Sequence, residues 1–136
     1  MAVMKKYKRQ LKTSKYRSGL EESVCNDLQK RDVNFSYESR VISFLKPSKV
    51  QKYTPDVILD NEVIIEIKGH FKREDRQKHL FIKQQYPNLD IRFLFGNARN
   101  KIYKGSKTTY ADWCNKNNFK YCEKLIPESW IRNGRT

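Results

Sequence analysis

Three charged side chains lie within the most strand-like part of the chain. In YTPDVILDNEVIIEIKG, from Tyr53 to Gly69, apolar residues dominate and Asp60-Asn61 supplies a turn, so the stretch reads as a β-hairpin. Asp56, Glu66 and Lys68 fall inside its strands. Strands disfavour Asp, and a charge beside a core must be paired or put to use. Register decides whether these groups meet. A two-residue loop, Asp60-Asn61, pairs Leu59 with Glu62 and Asp56 with Ile65, and sends Glu66 to the other face. A three-residue loop, Asp60 to Glu62, pairs Leu59 with Val63, sets Asp56 opposite Glu66 and Thr54 opposite Lys68, and leaves Ile65 and Ile67 for the core. The second register groups the charges and buries the isoleucines, and it is the one expected.

Two ionised carboxylates about 5 Å apart repel by about 3 kcal/mol at an effective dielectric near 20. Such a cross-strand pair is a cost unless a cation lies between them. Lys68 compensates in part, and a divalent metal does so far better. Mg²⁺ takes one or two carboxylates and keeps waters for substrate phosphates. It can polarise a phosphodiester and activate water, with Lys68 orienting that water or stabilising the transition-state charge. A solvated sheet face carrying a Lys–Glu pair is the plain alternative, since Glu-x-Lys alone is common.

The elements that must position this hairpin are legible on either side. SGLEESVCNDLQKRD is a predicted helix, with Ser18 and Glu21 as a capping box and Leu20, Val24 and Leu28 as its apolar stripe. VNFSYESRVISFL reads as strand with a bend near Ser39. KPSKVQK, interrupted by Pro47, reads as a basic connection rather than core. FKREDRQKHLFIKQQYP predicts a helix whose later face carries Leu80, Ile82 and Tyr86, ended by Pro87. LDIRFLFG is a short buried strand, NARNKIYKGSK a basic loop, TTYADWCNKN a threonine-capped helix, and FKYCEKLIPESWI a last strand with Trp130 as an anchor. Interleaved helices and strands place the chain in the α/β or α+β class. Nothing in the spacing gives His70 or His79 a catalytic role, and His79 is expected on a helix surface. The tryptophans and most tyrosines read as core.

At 136 residues the chain suits one domain, and 38% hydrophobic residues allow a modest core. The net charge of +14 self-repels unless a polyanion is the partner, which points to nucleic acid ahead of an anionic membrane. No apolar run reaches the roughly 18 residues of a transmembrane helix, and no signal peptide is apparent, so a cytoplasmic location is expected. Residues 1–17 hold seven Lys or Arg and no acid, half of the net charge. They read as a basic flexible arm that orders on phosphates, through Lys5, Lys6, Lys8, Arg9, Lys12, Lys15 and Arg17. Residues 18–136 form the single folded domain: a first segment (18–44), a bridging connection (45–53) and a catalytic segment (54–136). Cys25, Cys114 and Cys122 are odd in number and lack metal-site spacing, so buried reduced thiols are expected.

Pro55-Asp56, a nine-residue spacer and Glu66-x-Lys68 match the pattern of the PD-(D/E)xK nuclease superfamily. Beyond that motif, YRSGLEE, YTPDVIL, EIKG, DRQKHLFIKQQYPNLDIRFLF, KIYKGSKTTYADWC and KLIPESWI resemble the phage endonuclease I family of Holliday-junction resolvases, in order from about Tyr16 to Ile131. The wording departs in the N-terminal arm, which stays basic. The resemblance implies an α/β fold with a PD-(D/E)xK-like central mixed sheet flanked by helices. It implies an element-swapped homodimer whose active sites are shared between chains, so that Glu21 of one chain joins Asp56, Glu66 and Lys68 of the other. It assigns Asp56 and Glu66 as metal ligands, Lys68 as the catalytic lysine and Glu21 as a further catalytic acid serving a second metal. The backbone carbonyl of Ile67 is an added ligand by analogy. One or two Mg²⁺ ions per site are implied, with Mn²⁺ substituting. The implied substrate is four-way or branched DNA, bound by shape through phosphate contacts. Besides the arm, Lys72, Arg73 and Arg76, then Arg99, Lys101, Lys104 and Lys107, are the candidates for those contacts. A mismatch or restriction-type nuclease and a non-catalytic basic DNA-binding protein are the alternatives.

Overall fold

A computed structural model describes residues 16–46 and 49–132. The order is α1 (Gly19–Lys30), β1 (Phe35–Tyr37), β2 (Ile42–Lys46), β3 (Lys49–Tyr53), β4 (Val57–Leu59), β5 (Ile64–Lys68), α2 (Arg73–Gln85), β6 (Ile91–Phe95), α3 (Tyr110–Lys116), β7 (Tyr121–Glu123) and α4 (Glu128–Arg132). Five strands form one mixed sheet in the order β1-β4-β5-β6-β7. Strands β1, β4 and β5 run antiparallel, whereas β5, β6 and β7 run parallel. Helix α2 supplies the long crossover that a parallel β5–β6 pair requires.

Both faces of the sheet are covered. Ile65, Ile67 and Leu94 pack with Val24, Cys25 and Leu28 of α1 and with Trp130 of α4. On the other face Ile64, Phe93 and Phe95 pack with Ile82 of α2, Trp113 and Cys114 of α3, and Tyr53. Central strands buried on both sides read as continuous apolar runs, which accounts for VIIEI and IRFLF. The same burial makes Glu66 and Arg92 exceptional; Arg92 is satisfied by Asp90 at 2.8 Å and lies over the Trp130 ring.

The β4–β5 hairpin has the three-residue register. Val57 faces Ile65, Ile58 faces Ile64, and Leu59 donates its N–H to the Val63 carbonyl at 2.9 Å. Glu62 closes the loop at φ 72°, the left-handed position that a three-residue loop demands, and Asn61 Oδ1 accepts the Val63 N–H.

Several expectations are corrected. The described residues of the expected bridge 45–53 are strand in the single chain: β3 pairs antiparallel with β2, because Ile42, Phe44 and Tyr53 share a face that packs on α2. The buried face of α2 is Arg76, His79 and Ile82, while Leu80 is 40% exposed. Hydrogen-bond acceptors under the helix draw in polar groups that an apolar stripe would have excluded. The arm ends earlier than residue 17, since Tyr16 is buried and edge-on to the Tyr37 ring at 4.5 Å. Cys25 and Cys114 are buried and Cys122 half-buried, all as free thiols. No described helix is long and apolar enough to cross a membrane.

Candidate active site

The site forms where β4 begins and β5 ends. The hairpin register sets Asp56 opposite Glu66 and puts Lys68 on the same face. Both carboxylates are buried, at 1% and 2% exposure, so the solvated-face alternative does not apply. The backbone ties them together. Asp56 Oδ2 accepts the Ile67 N–H at 2.9 Å, and Glu66 Oε2 accepts the Asp56 N–H at 3.1 Å. The Tyr53 hydroxyl donates to the same Glu66 Oε2 at 2.8 Å. Lys68 Nζ lies 3.9 Å from Glu66 Oε1 and 3.5 Å from Asp75 Oδ1. Asp75 is held in turn by the first turn of α2, where its other oxygen accepts the Lys72 N–H at 3.1 Å.

Helix α1 brings Glu21 to the same place. Ser18 caps the helix and its Oγ accepts the Glu21 N–H at 3.1 Å. The return half of the capping box is not made. Glu21 Oε1 instead accepts the Tyr37 hydroxyl at 2.6 Å and the Arg17 N–H at 3.0 Å, which leaves its carboxylate facing the site. Glu38, at the bend after β1, has φ 48° and donates its N–H to the Asp56 carbonyl at 3.0 Å. Carboxylate oxygens of Glu21, Glu38 and Asp56 lie within 4.8 Å of one another in the same chain. The Arg17 guanidinium sits among them, 2.9 Å from Asp56 Oδ1, 2.8 Å from Glu38 Oε2 and 3.6 Å from Glu21 Oε2.

These surroundings separate the two central carboxyls. Burial pushes Asp56 up from its ordinary value and the like charge of Glu66 adds to it, while the Ile67 N–H and Lys68 pull against them. Burial would also raise Glu66, but His79, Lys68 and the Tyr53 hydroxyl outweigh it and hold that carboxyl below the usual range. Burial alone would lower Lys68; Glu66, Asp75 and Asp56 reverse that, so it stays an ammonium. A group kept charged next to one that resists ionisation is an arrangement common at catalytic sites.

Asp56, Glu66, Lys68 and Glu21 thus meet, and the Ile67 backbone is anchored by Asp56. Five neighbours escaped sequence reasoning in these roles: Arg17, Glu38, Tyr53, Asp75 and His79. Only Asp75 and His79 left a signal, four residues apart and so on one helical face. His79 is fully buried rather than on the surface. Arg76 is also corrected. Its guanidinium donates to the Phe71 and Ile102 carbonyls at 2.8 and 3.1 Å, which ties α2 to the loop after β6 and withholds Arg76 from phosphate. Lys72 and Arg73 are exposed just beyond β5, and Arg99, Lys101, Lys104 and Lys107 are exposed beyond β6. Because β5 and β6 are parallel, both groups lie at the Lys68 end of the sheet. Lys5, Lys6, Lys8, Arg9, Lys12 and Lys15 lie outside the described residues.

Comparison with known proteins identifies the family. The chain is 42% identical over 121 residues to Endonuclease I of Escherichia phage T7, covering 89% of this chain and 81% of that protein. It is 43% identical over 117 residues to Endodeoxyribonuclease 1 of Enterobacteria phage T3, covering 86% and 77%. The family described as phage endonuclease I matches residues 1–136, and the chain belongs to that family.

Proposed function

We propose that the chain is a divalent-metal-dependent, structure-selective DNA endonuclease with a PD-(D/E)xK core, which resolves four-way and branched junctions by paired phosphodiester hydrolysis. The observation that carries this reading is the meeting of buried Asp56 and Glu66 with half-buried Lys68, and with Glu21 beside them, in a chain of net charge +14. The donors are hard carboxylate oxygens, which suit Mg²⁺ or Mn²⁺, and Arg17 already seats a positive charge among them. Asp56, Glu66 and the Ile67 carbonyl would hold one ion, and Glu21 with Asp56 a second. Bound there, the metal would supply the charge that polarises a phosphodiester and activates water. The remaining work belongs to the chain. Tyr53 and the Asp56 N–H orient Glu66, Asp75 steadies Lys68, and Lys68 keeps a positive charge where phosphate charge would develop. The exposed lysines and arginines at that end of the sheet would bind phosphates and read branch shape rather than base sequence. The proposed place of action is the host cytoplasm.

The decisive assay presents a synthetic four-way junction and a linear duplex with and without Mg²⁺. Metal-dependent nicks in opposed strands of the junction are expected, with Mn²⁺ substituting. Glu66→Gln is expected to bind the junction as the wild type does and to cut it about 10²- to 10³-fold more slowly, of the order seen when one group that stabilises transition-state charge is lost. Retention on DNA without any metal-dependent nicking would leave a non-catalytic binding protein. Equal cutting of the linear duplex would point to another kind of nuclease.

Paired cuts need two sites, hence a symmetric homodimer. The proposed exchange passes the first segment, 18–44, to a partner by way of the connection 45–53, remaking between chains the Glu21–Asp56 approach seen within one chain. Co-expressed Glu21→Ala and Glu66→Ala subunits test it. A swapped heterodimer has one doubly damaged site and one intact site, so it nicks one strand. An unswapped heterodimer carries a lesion in each site and is inactive.

A further inference from the structure

His79 has no part in the reading above except as a neighbour of Glu66. Its side chain is fully buried, clamped edge-on between the Tyr53 ring at 5.2 Å and the Phe93 ring at 4.9 Å. Neither ring nitrogen has an ordinary hydrogen-bond partner. The charged oxygen facing it is Glu66 Oε1, 3.4 Å from Nε2. A phenylalanine would fill the same aromatic slot with no polar atom to satisfy, so packing does not account for the imidazole. The Glu66 carboxylate does. Its Oε2 is taken by Tyr53 and the Asp56 N–H, and its Oε1 has only Lys68, at 3.9 Å, besides His79. A ligating carboxylate held on one oxygen alone can turn about its own axis, and hydrogen-bonded outer partners are what stop it.

We propose that His79 is a positioning residue for the metal-binding carboxylate: Nε2 lies within reach of Glu66 Oε1, at 3.4 Å, and, together with the Tyr53 hydroxyl on Oε2, fixes the plane in which Glu66 meets a divalent cation. The inference rests on the reading that Asp56 and Glu66 hold that cation. It requires only that Nε2 carry a proton. The carboxylate is thereby gripped from α2 on one side and from β3 on the other. This explains why the buried face of α2 carries a histidine between Arg76 and Ile82.

Full-length protein, metal-free and without DNA, is titrated with Mn²⁺ and followed by calorimetry. His79→Phe keeps the ring and removes the donor; it is expected to weaken Mn²⁺ binding by about 10- to 100-fold. His79→Gln returns an N–H donor and is expected to recover most of that loss. Junction binding in EDTA is expected to be unchanged in both. Wild-type Mn²⁺ affinity in a folded His79→Phe would overturn the positioning role alone, whereas a wild-type protein that binds no Mn²⁺ would overturn the metal reading with it. Should His79→Phe fail to fold, the imidazole nitrogens of the wild-type protein are observed by NMR. A proton on Nε2 and a resonance that moves on adding Mg²⁺ are expected, and an unprotonated Nε2 or a resonance indifferent to Mg²⁺ would overturn the inference.

Discussion

Asp56 carries the largest tension at the residue scale. It is buried against the like charge of Glu66, and its carboxyl titrates above the ordinary value near 3.9. The folded protein without metal therefore keeps a proton at Asp56 to higher pH than the unfolded chain does. The associated stability is full below about pH 4 and is lost as pH rises toward the raised value, with a limiting slope of about 1.4 kcal/mol per pH unit. Asp56→Asn cannot ionise, and its amide oxygen can still accept the Ile67 N–H. In EDTA, urea unfolding from pH 5 to 8 should show the variant with the flatter profile and the greater stability at pH 8. Parallel profiles for the two proteins would mean that Asp56 is ionised throughout, held so by Arg17. Added Mg²⁺ should reverse the ranking, because only the wild type offers it a full carboxylate there.

Helix α1 links stability to the site at the element scale. The Ser18 hydroxyl satisfies the Glu21 N–H, and Glu21 spends its carboxylate on Tyr37, Arg17 and the acidic cluster rather than on the cap. Ser18→Ala should cost about 1 kcal/mol in thermal or urea unfolding, as lost N-caps do. It should also lower the junction-cleavage rate, since the first turn that aims Glu21 frays. A variant that loses stability with no change in single-turnover rate would separate the cap from the site. The β4–β5 hairpin makes the complementary point: its register is set by the turn at Asp60 to Glu62, and a shift by one residue would send Asp56 and Glu66 to opposite faces.

Charge dominates at the scale of the whole molecule. Residues 1–15 carry Lys5, Lys6, Lys8, Arg9, Lys12 and Lys15. Each phosphate neutralised on duplex DNA contributes about −0.9 to the slope of log affinity against log salt. If those six side chains engage phosphates, deleting residues 1–15 should flatten the slope by about five. Fluorescence titrations over a range of NaCl concentrations measure it. An unchanged slope would make the arm a solvated tail and leave binding to the basic residues beyond β5 and β6.

The chain's periodicities determined α1, α2 and α3, the buried strands VIIEI and IRFLF, and the grouping of Asp56, Glu66 and Lys68 on one hairpin face, whereas the expected last strand stops at Glu123 and α4 forms at Glu128–Arg132. Those features are local: a period of 3.6 or 2, a cap and a turn are written in neighbouring residues. Ser18 and Thr109 as caps and Trp130 as an anchor belong with them. What surrounds the carboxylates was decided by tertiary structure alone. Tyr53 reaches Glu66 from the second sheet, Glu38 comes from a bend with positive φ, Arg17 comes from just before α1, and His79 turns inward from a polar helix. Lys49–Tyr53 likewise became a strand because Tyr53 found apolar partners on α2. A buried charge takes its partners from whichever elements the fold brings within hydrogen-bond reach, and that distance is not encoded in spacing along the chain.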